Sequence, residues 1–355
     1  MKIGMMCLWN AANGPSIHAE LIGRTWVEIG HKLTVFSAIK HPDARPTNQT
    51  DEKYVIRHFS VDEVHPYTRA SFFDPKPILE EDFEIFVAQN VERLPAEKLL
   101  KYWDKIKRKA KTVMVAHEGK APNDPLYYKF DWDGIVCFDE RYKEYLLKNW
   151  SEDKIKLIPY PHYPFKPGDK IKSREKLGLP TNEKIIFSFG FRAEDILPVI
   201  PPLKELSNRY KLRYLVILNP ESNVEIVKDQ TKENKFIDLR VKALTMDEIY
   251  SYLYASDALL IHRESNKKYK AVVSSTVCQV LGAGCPIVFH NSNYVDTYGE
   301  EIIKYNDFED LRKKLIELFD NGFDINKVKK FLEKNNATKI ASRFIRLFEE
   351  LRKEG

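Results

Sequence analysis

Short apolar runs alternate with amphipathic stretches along most of the chain, the pattern of strands buried on both faces of a parallel sheet and joined by crossover helices. Lys2 to Leu8 is apolar enough for a central strand, and Asn10 to Ser16 (NAANGPS) is a turn. Ile17, Leu21, Trp26 and Ile29 then set out one face of a helix from Ser16 to Ile29, closed by Gly30. Lys32 to Ser37 follows as a second strand and completes the opening βαβ unit of a doubly wound sheet. Further strands are expected at Tyr54 to Phe59, Phe83 to Gln89, Thr112 to Ala116 and Gly134 to Phe138. Helices are expected at Lys98 to Ala110 and Glu140 to Lys148, and Lys154 to Phe165 leaves this first series. His65 to Pro77 is an aperiodic excursion rich in proline and aromatics, of the kind that commonly lies over a cleft.

Pro164, Pro167, Gly168, Gly178 and Pro180, set among charges, mark 164–184 as a linker. A second βα series opens at Ile185 to Phe189 and passes Gly190 and Arg192. It continues through a helix near Val199 to Arg209, a strand at Tyr214 to Leu218, a helix near Glu221 to Glu233 and a strand about Ile237. Met246 to Ile261 reads as an amphipathic helix followed by a strand. Asn335 to Lys353 is a long amphipathic helix with Ile340, Phe344, Leu347, Phe348 and Leu351 on its apolar face. The predicted fold class is therefore α/β, with two Rossmann-like doubly wound domains at 1–163 and 185–334. The 164–184 linker joins them, and the pattern allows the C-terminal helix, 335–355, to cross back to the first domain.

The 355 residues suffice for two domains with separate cores. With 57 basic against 52 acidic residues, the net charge of +5 is too slight to call for nucleic acid. No apolar run approaches the roughly 18 residues of a membrane span. Met1 leads straight into a strand instead of a signal peptide, so a cytoplasmic location is expected, with peripheral membrane contact left open. Abundant Lys, Glu and Ile beside scarce Gln and Cys would suit the ion-pair-rich surface of a thermophile. Cys7, Cys137, Cys278 and Cys285 lie inside apolar runs with no C-x-x-C spacing, which points to buried free thiols instead of disulfides or a metal site.

Val272 to Val288 (VVSSTVCQVLGAGCPIV) concentrates the candidate chemistry. Ser274, Ser275 and Thr276 precede the apolar Val277, Val280 and Leu281, as at a helix N-terminus whose free N–H groups are either capped by side-chain oxygens or turned to an anion. Gly282 and Gly284 end that helix, and Pro286 to Phe289 opens a buried strand. Elsewhere Gln89 and Asn90, and His117 and Glu118, stand at strand carboxyl ends, where α/β proteins bind ligands. His117 could hydrogen-bond a sugar hydroxyl and Glu118 accept its proton, provided the strand has ended, because neighbours on a strand point to opposite faces. His18, near the first loop, competes for that role. For each histidine a core position is the alternative.

MDEIYSYLYASDALLI (246–261), taken with Gly284-Cys285-Pro286, resembles the carboxyl-terminal domain of the family 4 type glycosyltransferases, where "eel..lya.aDvll" precedes "alaaGkPvv". Gly14, His18, Leu21, Gly30, His31 and Val35 match the family's "GG...h...La..L...GHeVtv", with one glycine in place of the usual pair. KIKLIPYPHYPF (154–165) resembles "kI.vIPnGvd...F". The resemblance implies a GT-B fold, with two domains facing a cleft. It implies a hexosyltransferase that moves sugar from a nucleotide-sugar donor to an unknown acceptor, such as a sugar, a lipid-linked sugar or a small molecule. Retention of configuration, the leaving diphosphate oxygen helping to deprotonate the acceptor, and no metal or cofactor besides the donor follow from the same resemblance.

Arg192 matches the arginine of "vGR" that contacts the donor phosphates, but the family's following lysine is Leu197, and its two glutamates are Ala271 and Gln279. Gln279 can still meet a ribose hydroxyl, Ser274-Ser275 is closest to the subtype with a Ser-Gly pair at the helix start, and Lys267, Lys268 and Lys270 could supply the missing charge. The expected donor set is Arg192, Lys267, Lys270, Ser274, Ser275, Thr276 and Gln279. Gly14, Gln89 and Asn90 are expected on the acceptor side, and His117, Glu118 and His18 at the chemistry. The departures keep two alternatives open: a catalytically degraded relative that binds a nucleotide or a partner subunit, and a nucleotide-sugar epimerase.

Overall fold

The computed structural model describes residues 1–11, 13–39, 51–61, 69, 72–190 and 192–354. The chain divides into two units. The first comprises Met1–Pro161, Lys267–Ser275 and Lys334–Gly355; the second comprises His162–Asn266 and Thr276–Glu333.

In the first unit, seven parallel strands are found among the described residues: β1 (Lys2–Cys7), β2 (Lys32–Ala38), β3 (Val55–Phe59), β4 (Ile85–Gln89), β5 (Lys111–Val115), β6 (Gly134–Cys137) and β7 (Ile155–Leu157), in the order β3-β2-β1-β4-β5-β6-β7. β1 and β4 are apolar and almost wholly buried, as strands covered on both faces must be. The order reverses between β1 and β4, so that crossovers leave the sheet in opposite directions there. Asn13 accepts from the Ser16 N–H and Pro15 fixes the first turn of the helix Gly14–Glu28. That helix buries Trp26, whose indole N–H donates to the Ala341 carbonyl at 3.3 Å while Phe344 and Phe348 stand edge-on to the ring. The terminal helix Ala337–Lys353, capped by Asn336, thus packs in the first unit. The helix expected over Lys98 to Ala110 is two, Ala96–Leu100 and Trp103–Lys109, separated by a turn at Tyr102; Trp103 packs edge-on to Phe130 and Trp132. Of the aperiodic excursion His65 to Pro77, residues 65–68, 70 and 71 lie outside the described residues, and Phe73 bridges antiparallel to Phe59.

The second unit holds six parallel strands among the described residues: β8 (Lys184–Gly190), β9 (Leu212–Leu218), β10 (Ile237–Val241), β11 (Ala258–Ile261), β12 (Ile287–His290) and β13 (Ile303–Tyr305), ordered β10-β9-β8-β11-β12-β13. Its reversal falls between β8 and β11. Phe187, Leu215 and Ile217 pack on one face with Leu253 and Val280, and Ile186, Tyr214 and Val216 on the other with Leu203, Leu311 and Leu315.

The 164–184 segment is built into this second unit. It carries the helix Lys170–Leu177, capped by Asp169 and closed by Gly178, whose buried Arg174 donates to Asp257 at 2.8 Å and to the Ala255 carbonyl. Ahead of it, the Tyr163 N–H donates to the Cys278 carbonyl at 3.0 Å and the Lys166 N–H to the Gly282 carbonyl at 2.8 Å. Gly282 is required by this approach, since a Cβ there would lie 2.4 Å from the Pro164 carbonyl oxygen. The apolar helix expected before Gly282 is shorter than its pattern suggests: Ser275–Val280 is helical, and Leu281–Ala283 tightens into a 3₁₀ turn ending at Gly284. All four cysteines are buried and unbridged. No helix among the described residues is long and apolar enough to cross a membrane.

Candidate functional site

In the first unit, β1, β4 and β5 are neighbours, and the residues just beyond their carboxyl ends gather at the reversal of strand order. Gln89 ends β4 almost fully buried, and Asn90 turns the chain with left-handed backbone (φ 54°). His117 follows β5 and is partly accessible; its Nε2 lies 2.8 Å from Gln89 Oε1. An amide oxygen only accepts, so Nε2 carries the proton and Nδ1 keeps the lone pair. Burial, and then the adjacent His18, hold His117 well below the ordinary imidazole range. A neutral imidazole this reluctant to take a proton orients a hydroxyl better than it deprotonates one.

The other two residues expected at the chemistry are placed differently. His18 has no exposed surface and is ringed by His117, Phe138, Tyr160 and Phe344 at centroid distances of 5.0 to 5.9 Å. Neither of its ring nitrogens has a hydrogen-bond partner among the described residues, and burial lowers its pKa to about 3. It packs as a neutral ring and offers no surface to a substrate. The Glu118 carboxylate, also buried, accepts from the Tyr127 hydroxyl at 2.9 Å and from the backbone N–H groups of His117 at 3.0 Å and Glu92 at 3.3 Å. Burial pushes it up to about 7. Its carboxylate fastens the loop beyond β5 instead of standing beside the His117 imidazole.

Gly14 opens its helix with its carbonyl accepting from the Tyr160 hydroxyl at 2.6 Å. A Cβ at Gly14 would sit 3.7 Å from that of Ser275, so Ser275 lies over the first turn. The segment Lys267–Ser275 is tied to the same region. The Ala271 N–H donates to the Gly119 carbonyl at 3.1 Å, Arg141 donates to the Val272 carbonyl at 2.9 Å, and Lys270 pairs with Glu144 at 2.6 Å. Gly119 has no room for a side chain, because a Cβ there would meet the Ala271 carbonyl oxygen at 2.4 Å. Ala271 is itself fully buried, so a glutamate at that position would place a carboxylate against this contact. Ser274 is nearly buried, whereas Lys267 is exposed with no ion-pair or hydrogen-bond partner among the described residues.

In the second unit the reversal between β8 and β11 brings together charged groups from both strand ends. Arg192, just past β8, is 59% exposed and pairs with Asp195 at 2.9 Å. Arg263, just past β11, reaches the same carboxylate oxygen at 3.4 Å and lies over the Tyr294 ring. Arg192 and Arg263 thus share one carboxylate oxygen at the reversal, and the Glu264 carboxylate acts on His262 alongside Asp195. His262 meets the Tyr305 hydroxyl at 2.7 Å, and burial followed by the nearby His290 lowers its pKa. Thr276 and Gln279 are half-buried on the helix Ser275–Val280, and the Gln279 carbonyl accepts from the Tyr250 hydroxyl. Leu197 packs against the apolar cluster around Ile200 and Leu203. Sequence reasoning did not single out Arg263, His262, His290 or Asp195. The signal was HRE directly after the apolar ALLI, a strand's carboxyl end.

The expected donor set is thus divided, with Lys267, Lys270, Ser274 and Ser275 in the first unit and Arg192, Thr276 and Gln279 in the second. Among the described residues, no three His, Cys, Asp or Glu side chains are gathered as metal ligands would be.

Two parallel doubly wound sheets in one chain, each with residues of possible function at its reversal, define the GT-B fold of glycosyltransferases. No protein-family model matches the chain. Among solved structures it is similar to a glycosyltransferase from Rickettsia africae, at 16% identity and a TM-score of 0.72 over 100% of this chain and 99% of that one. Anabaena HepE in complex with UDP and glucose is similar at 11% identity and a TM-score of 0.68, covering 98% of this chain and 99% of its own. Sucrose-phosphate synthase from Thermosynechococcus elongatus is similar at 12% identity and 0.67, with both chains fully covered. At these identities the likeness defines the fold.

Proposed function

We propose that the protein is a glycosyltransferase that moves a hexose from a nucleotide-sugar donor to an acceptor hydroxyl, with retention and without a metal. The observation that carries this reading is the exposed Arg192, which with Arg263 sets two guanidinium charges at the reversal of the second sheet. That is the charge a departing nucleoside diphosphate needs. The fold shared with HepE, which has been crystallised with UDP and with UDP-glucose, supports the choice of donor class.

In this reading Arg192, Thr276 and Gln279 serve the donor, Arg192 at the phosphates and Gln279 at a ribose hydroxyl. Ser274 and Ser275 are assigned to the donor by resemblance to the subtype with a Ser-Gly pair at the helix start, and Lys267 and Lys270 as charges that could stand in for the lysine replaced by Leu197. On the acceptor side, Gly14, Gln89 and Asn90 shape the site and His117 Nδ1 accepts from the acceptor hydroxyl. The bond from the anomeric carbon to the diphosphate breaks, the acceptor oxygen bonds that carbon, and the acceptor's proton passes to the departing diphosphate oxygen. His117, held neutral, orients the hydroxyl without needing to keep the proton.

One feature favours a second reading, nucleotide binding without transfer: Ala271 is sealed against Gly119, so the family's first glutamate has no counterpart. Incubating the purified chain with a panel of nucleotide sugars, with and without candidate acceptors, decides between them. Released nucleotide and a glycosylated acceptor support transfer. Donor that binds but stays intact with every acceptor supports the second reading, and donor isomerised without acceptor would mark an epimerase.

A further inference from the structure

β10 is an edge strand of the second sheet, paired on one side only with β9 in the register Leu239↔Val216. The Phe236 carbonyl accepts from the Tyr214 N–H and the Lys242 N–H donates to the Leu218 carbonyl, so even-numbered residues direct their backbone groups toward β9. Odd-numbered residues therefore direct theirs away from the sheet. Ile237 uses its N–H on Asn234, while no such internal bond engages the N–H groups of Leu239 and Val241 among the described residues. A groove of about 790 Å³ runs along this edge, lined by Arg213 and Asp238 from one face of the strand and by Ile237, Leu239, Val241 and Lys228 from the other. The lining thus takes in both faces of the strand, and the helix Glu225–Glu233 contributes Glu225, Lys228 and Thr231 to it. Val241 is 50% exposed although it is a strand valine.

We propose that this edge pairs with the same edge of a second copy of the chain, antiparallel about a two-fold axis at Leu239. The sequence Ile237-Asp238-Leu239-Arg240-Val241 is self-complementary in that register. Leu239 opposes Leu239 of the second copy, and their outward N–H and carbonyl groups can exchange hydrogen bonds. Val241 opposes Ile237, matching a free N–H with a free carbonyl. Asp238 opposes Arg240 and Arg240 opposes Asp238, on one face, as non-hydrogen-bonded pairs whose side chains approach most closely. Within one chain Arg240 donates to Asp238 at 3.0 Å and Arg213 donates to the same carboxylate oxygen at 3.2 Å, so these charges are on the same face, and pairing across the axis would exchange the Arg240 partner. Natural edges are commonly protected by charged side chains, lysine above all; here Asp238 and Arg240 are of opposite sign, so each can attract its counterpart in a second copy.

Sedimentation velocity over a concentration series tests this with the full chain and two variants, Asp238→Arg and Arg240→Asp. The unmutated chain should form a dimer. Each variant alone sets like charges opposite each other twice and should weaken self-association about tenfold to a hundredfold. An equimolar mixture of the two sets opposite charges at every such pair and should restore the dimer as a heterodimer, which misfolded variants could not do. An unmutated chain that stays monomeric throughout, or folded variants that do not pair when mixed, would overturn the proposal.

Discussion

Replacing Glu118 by Gln should remove a pH dependence of stability confined to the first unit. The carboxyl is 6% exposed and pushed from its ordinary 4.5 up to about 7 by burial. A folded-state pKa above the unfolded one means that the protonated form is favoured on folding. The stabilisation is complete below pH 4.5 and lost as pH rises through 7. At about 1.4 kcal/mol per tenfold in proton affinity, the loss across that window is about 3 kcal/mol. His18 and His117, held low by burial, act in the opposite sense: their contribution is present above the ordinary imidazole value and falls as pH falls. The difference between wild type and Glu118→Gln cancels them. In the glutamine variant the amide oxygen can keep the bonds from the Tyr127 hydroxyl and the His117 N–H, leaving the longer contact with the Glu92 N–H to the amide nitrogen. Urea unfolding followed by tryptophan fluorescence is selective, because all five tryptophans (Trp9, Trp26, Trp103, Trp132 and Trp150) belong to the first unit. Wild type should lose about 3 kcal/mol relative to the variant between pH 4.5 and pH 8. A flat difference across that range would refute the placement of Glu118 as a buried, proton-binding carboxyl.

Gly282→Ala should destabilise the second unit by about 1 to 3 kcal/mol, since the added methyl meets the backbone carbonyl of Pro164 and neither partner is a flexible side chain. Calorimetry should show a Tm lowered by several degrees, together with faster exchange of the Lys166 amide bonded to Gly282. Lys267→Ala should weaken nucleotide-diphosphate binding about twofold to fivefold at low salt and less at high salt, as loss of an exposed charge does. Lys270→Ala should matter less, because Lys270 is already paired with Glu144. Equal effects in a salt titration would count against that distinction.

Much of the fold was legible because buried parallel strands write themselves as apolar runs: KIGMMC, IFVAQ and KIIFSFG sit at the strands they become. The helix Lys170–Leu177 was not, because five of its eight residues are charged and its anchor is Asp257, far along the chain, receiving the buried Arg174. The break at Tyr102 was hidden for a related reason: Trp103 answers to Phe130 and Trp132, not to helical period. At the candidate site, strand ends identified Gln89 and His117 separately, and only the β4–β5 register brings them to 2.8 Å. Adjacent residues His117 and Glu118 read alike in sequence. Their different fates rest on Tyr127, which claims the carboxylate, and on Gln89, which claims the imidazole.

Isothermal titration of UDP and other nucleoside diphosphates into the unmutated chain and the Arg192→Ala variant tests the donor-site reading most directly. Arg192 should supply a hydrogen bond to a charged group, worth about 1.5 to 3 kcal/mol. The unmutated chain should therefore bind at least one diphosphate, and Arg192→Ala should weaken that binding roughly tenfold to 150-fold. No binding of any nucleoside diphosphate by the unmutated chain would contradict the account, as would binding that the loss of Arg192 leaves unchanged.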